Sequence, residues 1–188
     1  VTAILEIPEV RHRVSPLSVK EYHRLDEFNE RGRRTELIRG IIIEKMSKSP
    51  LHSTLSKRLY DIIARSLPPN HLVRREDPIT LADSEPEPDI SIVQGKESDF
   101  IESHLTTADL VIEVAVSSAA LDRENATLYA EASVREYWIV LGRESQVEVH
   151  SEPKAGSYQA KRLIRAPEII ECGSVPGIRI SLKELFAT

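Results

Sequence analysis

Hydrophobic positions along this chain change period several times, and each change marks an element. Val19, Tyr22, Leu25 and Phe28 recur at helical spacing behind Ser18-Val19-Lys20-Glu21, a capping-box pattern that satisfies the free donors of a helix start. A short amphipathic helix is expected to about residue 29, ended near Gly32. Residues 1–16 carry Pro8, Pro16 and no period, and read as an extended or partly disordered lead-in. Residues 35–46 suggest two strands meeting at a hairpin or bulge at Arg39-Gly40. Leu51, Leu55, Leu59, Ile62, Ile63 and Leu67 form the apolar stripe of a long helix over 49–67, stopped by Pro68-Pro69. Residues 71–81 alternate as a strand would, and 94–107 form a polar connection. A second helix is expected over 119–133, a strand at Tyr137–Val140, and a surface hairpin from Gln146–His150 and Tyr158–Ile164. The tail offers a short strand near 168–171, a turn at Val175–Gly177, and a last strand with a helical turn over 178–186.

Two segments differ from the rest. Glu87-Pro88-Asp89-Ile90-Ser91-Ile92-Val93 and Asp109-Leu110-Val111-Ile112-Glu113-Val114-Ala115 are near-continuous apolar runs, the signature of strands covered on both faces, yet Asp89 and Glu113 interrupt them. A lone carboxylate there is costly to desolvate unless something pairs with it. Neither run contains a Lys or Arg, so two such acids in neighbouring strands point to a shared cation, and hard oxygen ligands favour Mg²⁺ or Mn²⁺. The plainer alternative leaves each acid at a strand end, exposed or paired with an arginine.

Composition narrows the setting. The chain has 188 residues, 40% hydrophobic and 29% charged, ordinary for a globular protein with a real core. Beyond the lead-in, residues 17–188 show no linker or repeat and are expected to form a single domain, mixed α and β. A lone cysteine, Cys172, excludes a disulfide framework, a thiolate zinc site and a CxxC redox motif. With no apolar stretch of membrane-spanning length and no basic-then-apolar opening, a cytoplasmic protein is expected. A net charge of −5 argues against simple coating of nucleic acid but leaves room for local phosphate contacts. The candidates for such contacts are Arg31, Arg33 and Arg34, Lys57 and Arg58, and Arg74 and Arg75, each also an ordinary solvated charge.

Taken in order, several of these pieces resemble a known group. Pro88-Asp89 followed by Glu113-Val114-Ala115 looks like a degenerate PD-(D/E)XK nuclease core. More narrowly, the chain is similar to the Uma-two family of restriction-endonuclease-like proteins. Thr35–Ile42, Met46-Ser47 with Ser49–His52, Glu87–Ile90, Leu110–Val114 and Leu128–Ala130 running into Arg135–Val140 carry the likeness. The resemblance implies a restriction-endonuclease-like core, a central mixed β-sheet flanked by helices with an added β-hairpin. It also implies Mg²⁺ (or Mn²⁺) at Asp89 and Glu113, and hydrolysis of DNA phosphodiesters. Glu36 matches the family's early acid, and His52 its histidine at the start of the long helix, where it would position or deprotonate water or orient Glu36. Away from the resemblance, Glu36 reads as a strand-end acid paired with Arg34 or Arg39, and His52 as a cap or core residue.

The sequence departs from this pattern where a lysine is expected. Ala115 holds the third position of the (D/E)XK triplet, and in the following helix the lysine's place falls to Asn125. Asp122, Asn125 and Tyr129 share one helix face. An amide carries no charge, and loss of one transition-state donor costs about 10²–10³ in rate. Arg123, Arg39 and Lys45 are the basic residues offered as substitutes. The expectation is thus a slow Mg²⁺-dependent endonuclease, with a catalytically degenerate nucleic-acid-binding or assembly module as the alternative. Because members of this superfamily often pair subunits to cut both strands, a homodimer is expected, with the Tyr137–Val140 strand and the hairpin as candidate surfaces.

Overall fold

The structure, a computed structural model, describes residues 7–26 and 32–187. The expectations for residues 1–6, Phe28 and Arg31 fall outside them. The described chain gathers into two compact units, one from residues up to 46 with 80–86, the other from 47–79 with 87 onward.

In the smaller unit a single helical turn, α1 (Pro8–Arg11), falls in the expected lead-in. Proline at its first position is compatible with a helix start, and Glu9 and Arg11 suit the two ends of the dipole. Helix α2 (Val19–Asp26) begins with the capping box as read: the Ser18 N–H and hydroxyl donate to Glu21 Oε2 at 2.9 and 2.6 Å. Strands β1 (Thr35–Ile38) and β2 (Ile41–Glu44) pair antiparallel across Arg39-Gly40, both at positive φ. Gly40 is required twice over, since a Cβ there would also run into Pro16.

The larger unit is built on a six-stranded sheet: β3 (His71–Arg74), β4 (Ile90–Gln94), β5 (Leu110–Ala115), β6 (Glu136–Leu141), β7 (Gln146–Lys154) and β8 (Ser157–Arg165), side by side in chain order. All neighbours are antiparallel except β5 and β6, which run parallel because the helix α4 (Ala119–Glu131) connects them. Strand β3 ends earlier than its alternation suggests, because Glu76 takes a left-handed φ of 54° and donates its N–H to Pro88 O. The 94–107 connection is not wholly polar: Leu105 is buried and bridges to Ile79.

The sheet has two unlike faces. One carries Ile90, Ile92, Ile112, Val114, Trp138, Val140, Val147 and Val149 against the helix α3 (Pro50–Ser66). Leu55, Leu59 and Ile63 of α3 recur once per turn and are fully buried, each stabilising by about 2 kcal/mol. The antiparallel pair β9 (Ile169–Glu171) and β10 (Arg179–Ser181), with the turn α5 (Leu182–Leu185), completes this core. The other face presents Glu113, Tyr137, Glu148 and His150 to α4, whose own buried residues include Asp122 and Asn125. Strand β6 lies inside the sheet with every residue buried, so Tyr137–Val140 offers no surface to a second subunit. The open edge of the sheet beyond the hairpin is β8.

Two buried acids hold this unit together. Glu136 takes the indole N–H of Trp138 at 2.9 Å and the backbone N–H groups of Gly173 and Ser174 at 2.8 and 3.0 Å, tying β6 to the tail. Burial, with Glu136 nearby, pushes the Cys172 thiol up to about 12, so it is not a nucleophile at neutral pH. Glu148 takes the Arg123 guanidinium at 2.6 Å and the Lys161 ammonium at 2.7 Å, joining β7 to α4 and β8. Burial alone would raise its carboxyl, but the hydrogen bonds and charges of Arg123 and Lys161 outweigh it and hold the group at about 2.

Replacing Glu136 with alanine strands the buried Trp138 indole N–H, leaves the partly exposed Gly173 and Ser174 N–H groups without this partner, and is expected to cost about 2–4 kcal/mol, read from urea denaturation midpoints. For Glu148 the folded value lies below the ordinary 4.5. Its contribution is therefore complete above pH 4.5 and fades as pH falls toward about 2. Glu148→Gln should lower stability at neutral pH, and the gap to wild type should close across that acid window in a pH series of thermal melts.

Candidate active site

The two strand acids meet. Asp89 directly precedes β4 and Glu113 sits midway along β5, and the register Ile90 to Ile112 sets them side by side on the α4 face. They exchange hydrogen bonds through each other's strand: Asp89 N–H donates to Glu113 Oε2 at 3.1 Å, and Val114 N–H donates to Asp89 Oδ2 at 2.9 Å. Glu113 Oε1 also accepts the Tyr129 hydroxyl at 3.1 Å, from the last turn of α4.

Asp89 is only 7% exposed and carries two further partners. His52 Nε2 lies 3.0 Å from Oδ2, and Lys48 Nζ lies 2.7 Å from Oδ1. Both come from the cap of α3. Ser49, in an extended conformation, accepts the His52 N–H at 3.2 Å, and Pro50 opens the helix. One rigid turn therefore aims residues 48 and 52 at the same carboxylate. Burial pushes the Asp89 carboxyl up, but the hydrogen bond and charge of His52 and the Lys48 ammonium prevail and hold it at about 2. Asp89 is an anion at neutral pH. Lys48 also reaches Glu76 Oε1 at 3.0 Å, and Arg75 Nη2 stands 3.9 Å from that oxygen.

His52 thus faces Asp89 with one ring nitrogen, while its Nδ1 is enclosed without a hydrogen-bond partner among the described residues. Asn125 lies on the buried face of α4, one turn before Tyr129, and its amide makes no hydrogen bond to another described residue. Asp122, on the same face, accepts the Ser118 hydroxyl at 2.7 Å. Glu36 belongs to the smaller unit, where it takes the Lys45 ammonium at 2.8 Å.

Each cation offered as a substitute for the lysine has a carboxylate partner of its own. Arg123 is committed to Glu148, Lys45 to Glu36, and Arg39 pairs with Asp83 at 3.4 Å. Lys48 was missed because a lysine beside a helix cap reads as a solvated charge; its four-residue spacing from His52 was the available signal. Of the basic pairs, Lys57 is joined to Asp61, and Arg58 donates to the carbonyls of Leu185 and Ala187, so it secures the tail. Arg74 and Arg75 line a cleft of about 370 Å³ together with Tyr60 and Asp77. Arg74 pairs with Asp77 at 3.1 Å, and Arg75 stands over the Tyr60 ring.

The donor set suits a hard divalent cation of the Mg²⁺ kind. Such an ion is commonly bound by one or two carboxylates, with water and phosphate oxygens completing the shell. Asp89 and Glu113 could provide those two. Among the described residues no group of three or more His, Cys, Asp or Glu side chains is arranged to hold an ion, so a closed all-protein cage is not what this site offers. No described helix is long and apolar enough to cross a membrane.

A crystal structure of "a putative nuclease belonging to DUF820" from Anabaena variabilis ATCC 29413 is similar, with a TM-score of 0.78 and 21% identity over 92% of this chain and 98% of that one. That likeness shows the fold: a mixed sheet flanked by helices, as the sequence suggested. No curated protein matches the chain. The family model Uma2, described as "Putative restriction endonuclease", matches residues 19–183. The resemblance drawn from the motifs is therefore borne out, and this chain belongs to the Uma2 family of restriction-endonuclease-like proteins.

Proposed function

We propose that this protein is an endonuclease that hydrolyses DNA phosphodiester bonds with Mg²⁺ or Mn²⁺ held by Asp89 and Glu113. The observation that carries the reading is the adjacent pair of strand acids, one of them kept ionised while nine-tenths buried. Membership of a nuclease family supports a nucleic-acid substrate, and restriction-endonuclease-like proteins generally work with divalent metals. A cation at this pair supplies charge neutralisation and Lewis acidity at the phosphate.

The chain's own groups prepare that place. Val114 N–H and His52 fix the Asp89 carboxylate, and Tyr129 together with the Asp89 N–H fixes Glu113. His52 is a positioning residue here, holding Asp89 through Nε2. Asn125 brings a neutral amide to the same face, able to donate to a phosphoryl oxygen without adding charge. A homodimer would allow both strands to be cut, and β8 is one of the two edge strands of the sheet. The second reading, a nuclease fold that binds nucleic acid without cutting it, is favoured by one feature: Ala115 and Asn125 supply no charge where a lysine is expected.

Calorimetric titration with Mn²⁺ separates the two. Saturable binding by wild type that disappears in Asp89→Ala supports the metal site. Glu113→Gln should then lower the rate of Mn²⁺-dependent cleavage of duplex DNA by about 10²–10³-fold. Absence of binding heat in wild type would leave the non-cutting reading.

A further inference from the structure

We infer that Lys48 is a catalytic residue of this hydrolysis, its ammonium meeting the phosphoryl oxygens of the scissile phosphate from the cap of the long helix. The inference rests on the nuclease reading of Asp89 and Glu113.

The chemistry calls for a fixed cation. Water oxygen forms a bond to phosphorus while the bond to the leaving sugar oxygen breaks, its electron pair going to that oxygen. One proton of the water reaches the leaving oxygen through solvent, and the other goes to the new phosphate monoester or to bulk water. Negative charge on the phosphoryl oxygens and the leaving oxygen peaks midway, and a preorganised donor placed there is worth most in a site that excludes water. Neither Ala115 nor Asn125 brings charge, and Arg123 is spent on Glu148. Among the described residues of the larger unit, Lys48 is the one lysine or arginine at ion-pair distance from Asp89.

Its placement fits the task. An ammonium has three donors. Two of them go to Asp89 Oδ1 and Glu76 Oε1, at 2.7 and 3.0 Å, leaving one without a protein acceptor among the described residues. The Lys48 side chain is 24% exposed against 9% for Asp89, so it is the more solvent-accessible partner of the pair. Glu76 is itself anchored, its N–H bonded to the carbonyl of Pro88 next to Asp89. With a divalent cation on Asp89, the ammonium would keep Glu76 and be free to turn toward the phosphate.

The test combines two measurements on the full chain: Mn²⁺ affinity by calorimetry and single-turnover cleavage of duplex DNA in Mn²⁺. For Lys48→Met the expected result is a cleavage rate lower by about 10²–10³-fold with Mn²⁺ binding as tight as wild type or tighter, because a competing cation is gone. Lys48→Gln, which still donates to Asp89, carries the test if circular dichroism shows the methionine variant unfolded, with the same loss expected. Cleavage within a fewfold of wild type overturns the inference. So does joint loss of Mn²⁺ binding and cleavage, which would make Lys48 only a brace for Asp89. Failure of the underlying reading looks different: wild type then shows no cleavage that Asp89→Asn abolishes, and both fall together.

Discussion

The larger unit is arranged around the cost of keeping the Asp89 carboxylate charged out of water. An isolated buried anion costs several kcal/mol even after relaxation. Here three neighbours share that burden: the Val114 N–H, His52 and Lys48. Each requirement fixes a piece of architecture. The β4–β5 register must place residue 89 beside residue 113, and the cap of α3 must present residues 48 and 52 on one side. Strand β3 must stop at Arg74 so that Glu76 can turn back and receive Lys48.

The two sheet faces differ in what they bury. Against α3 the contacts are Leu, Ile, Val and one tryptophan, and burial there supplies the main favourable term of folding. Against α4 the contacts are carboxylates, tyrosines, a histidine and an asparagine. A helix over such a face has little use for an apolar stripe, which is why its polar residues, Asp122 and Asn125, point inward. The polar face is viable because its charges are mostly paired, Glu148 between Arg123 and Lys161, and Asp89 between His52 and Lys48. It need not drive folding, since the opposite face does.

Much of this was legible in the sequence, for reasons that are local. The capping box at Ser18, the turn at Arg39-Gly40 and the stripe of α3 each follow from neighbouring residues, and the acids announced themselves by interrupting apolar runs. What escaped the sequence is set by tertiary contact. Alternation of Val147 and Val149 with Glu148 and His150 reads as one face in and one out, yet all four are buried because α4 covers the second face. Tyr137–Val140 could be taken for a docking strand only because its neighbours on both sides were invisible. Lys48 and Glu76 lie far apart in sequence and look like ordinary surface charges until the fold brings both to Asp89.

Lys48 also bears on how a site of this kind is kept ready. Two carboxylates side by side repel, and each resists ionising until a cation arrives. The hydrogen bond and charge of His52, with the Lys48 ammonium beside it, offset that resistance in advance, and the low value of Asp89 reflects both. In the proposed reaction the same ammonium would compete with an incoming ion for Oδ1 and weaken metal binding by the protein alone. A phosphate diester shifts that competition, because it offers anionic oxygens both to the displaced ammonium and to a hard cation that takes few protein ligands. In the proposed reaction, metal and nucleic acid therefore favour each other's binding, and the built-in lysine makes the empty site stable without making it a tight metal store.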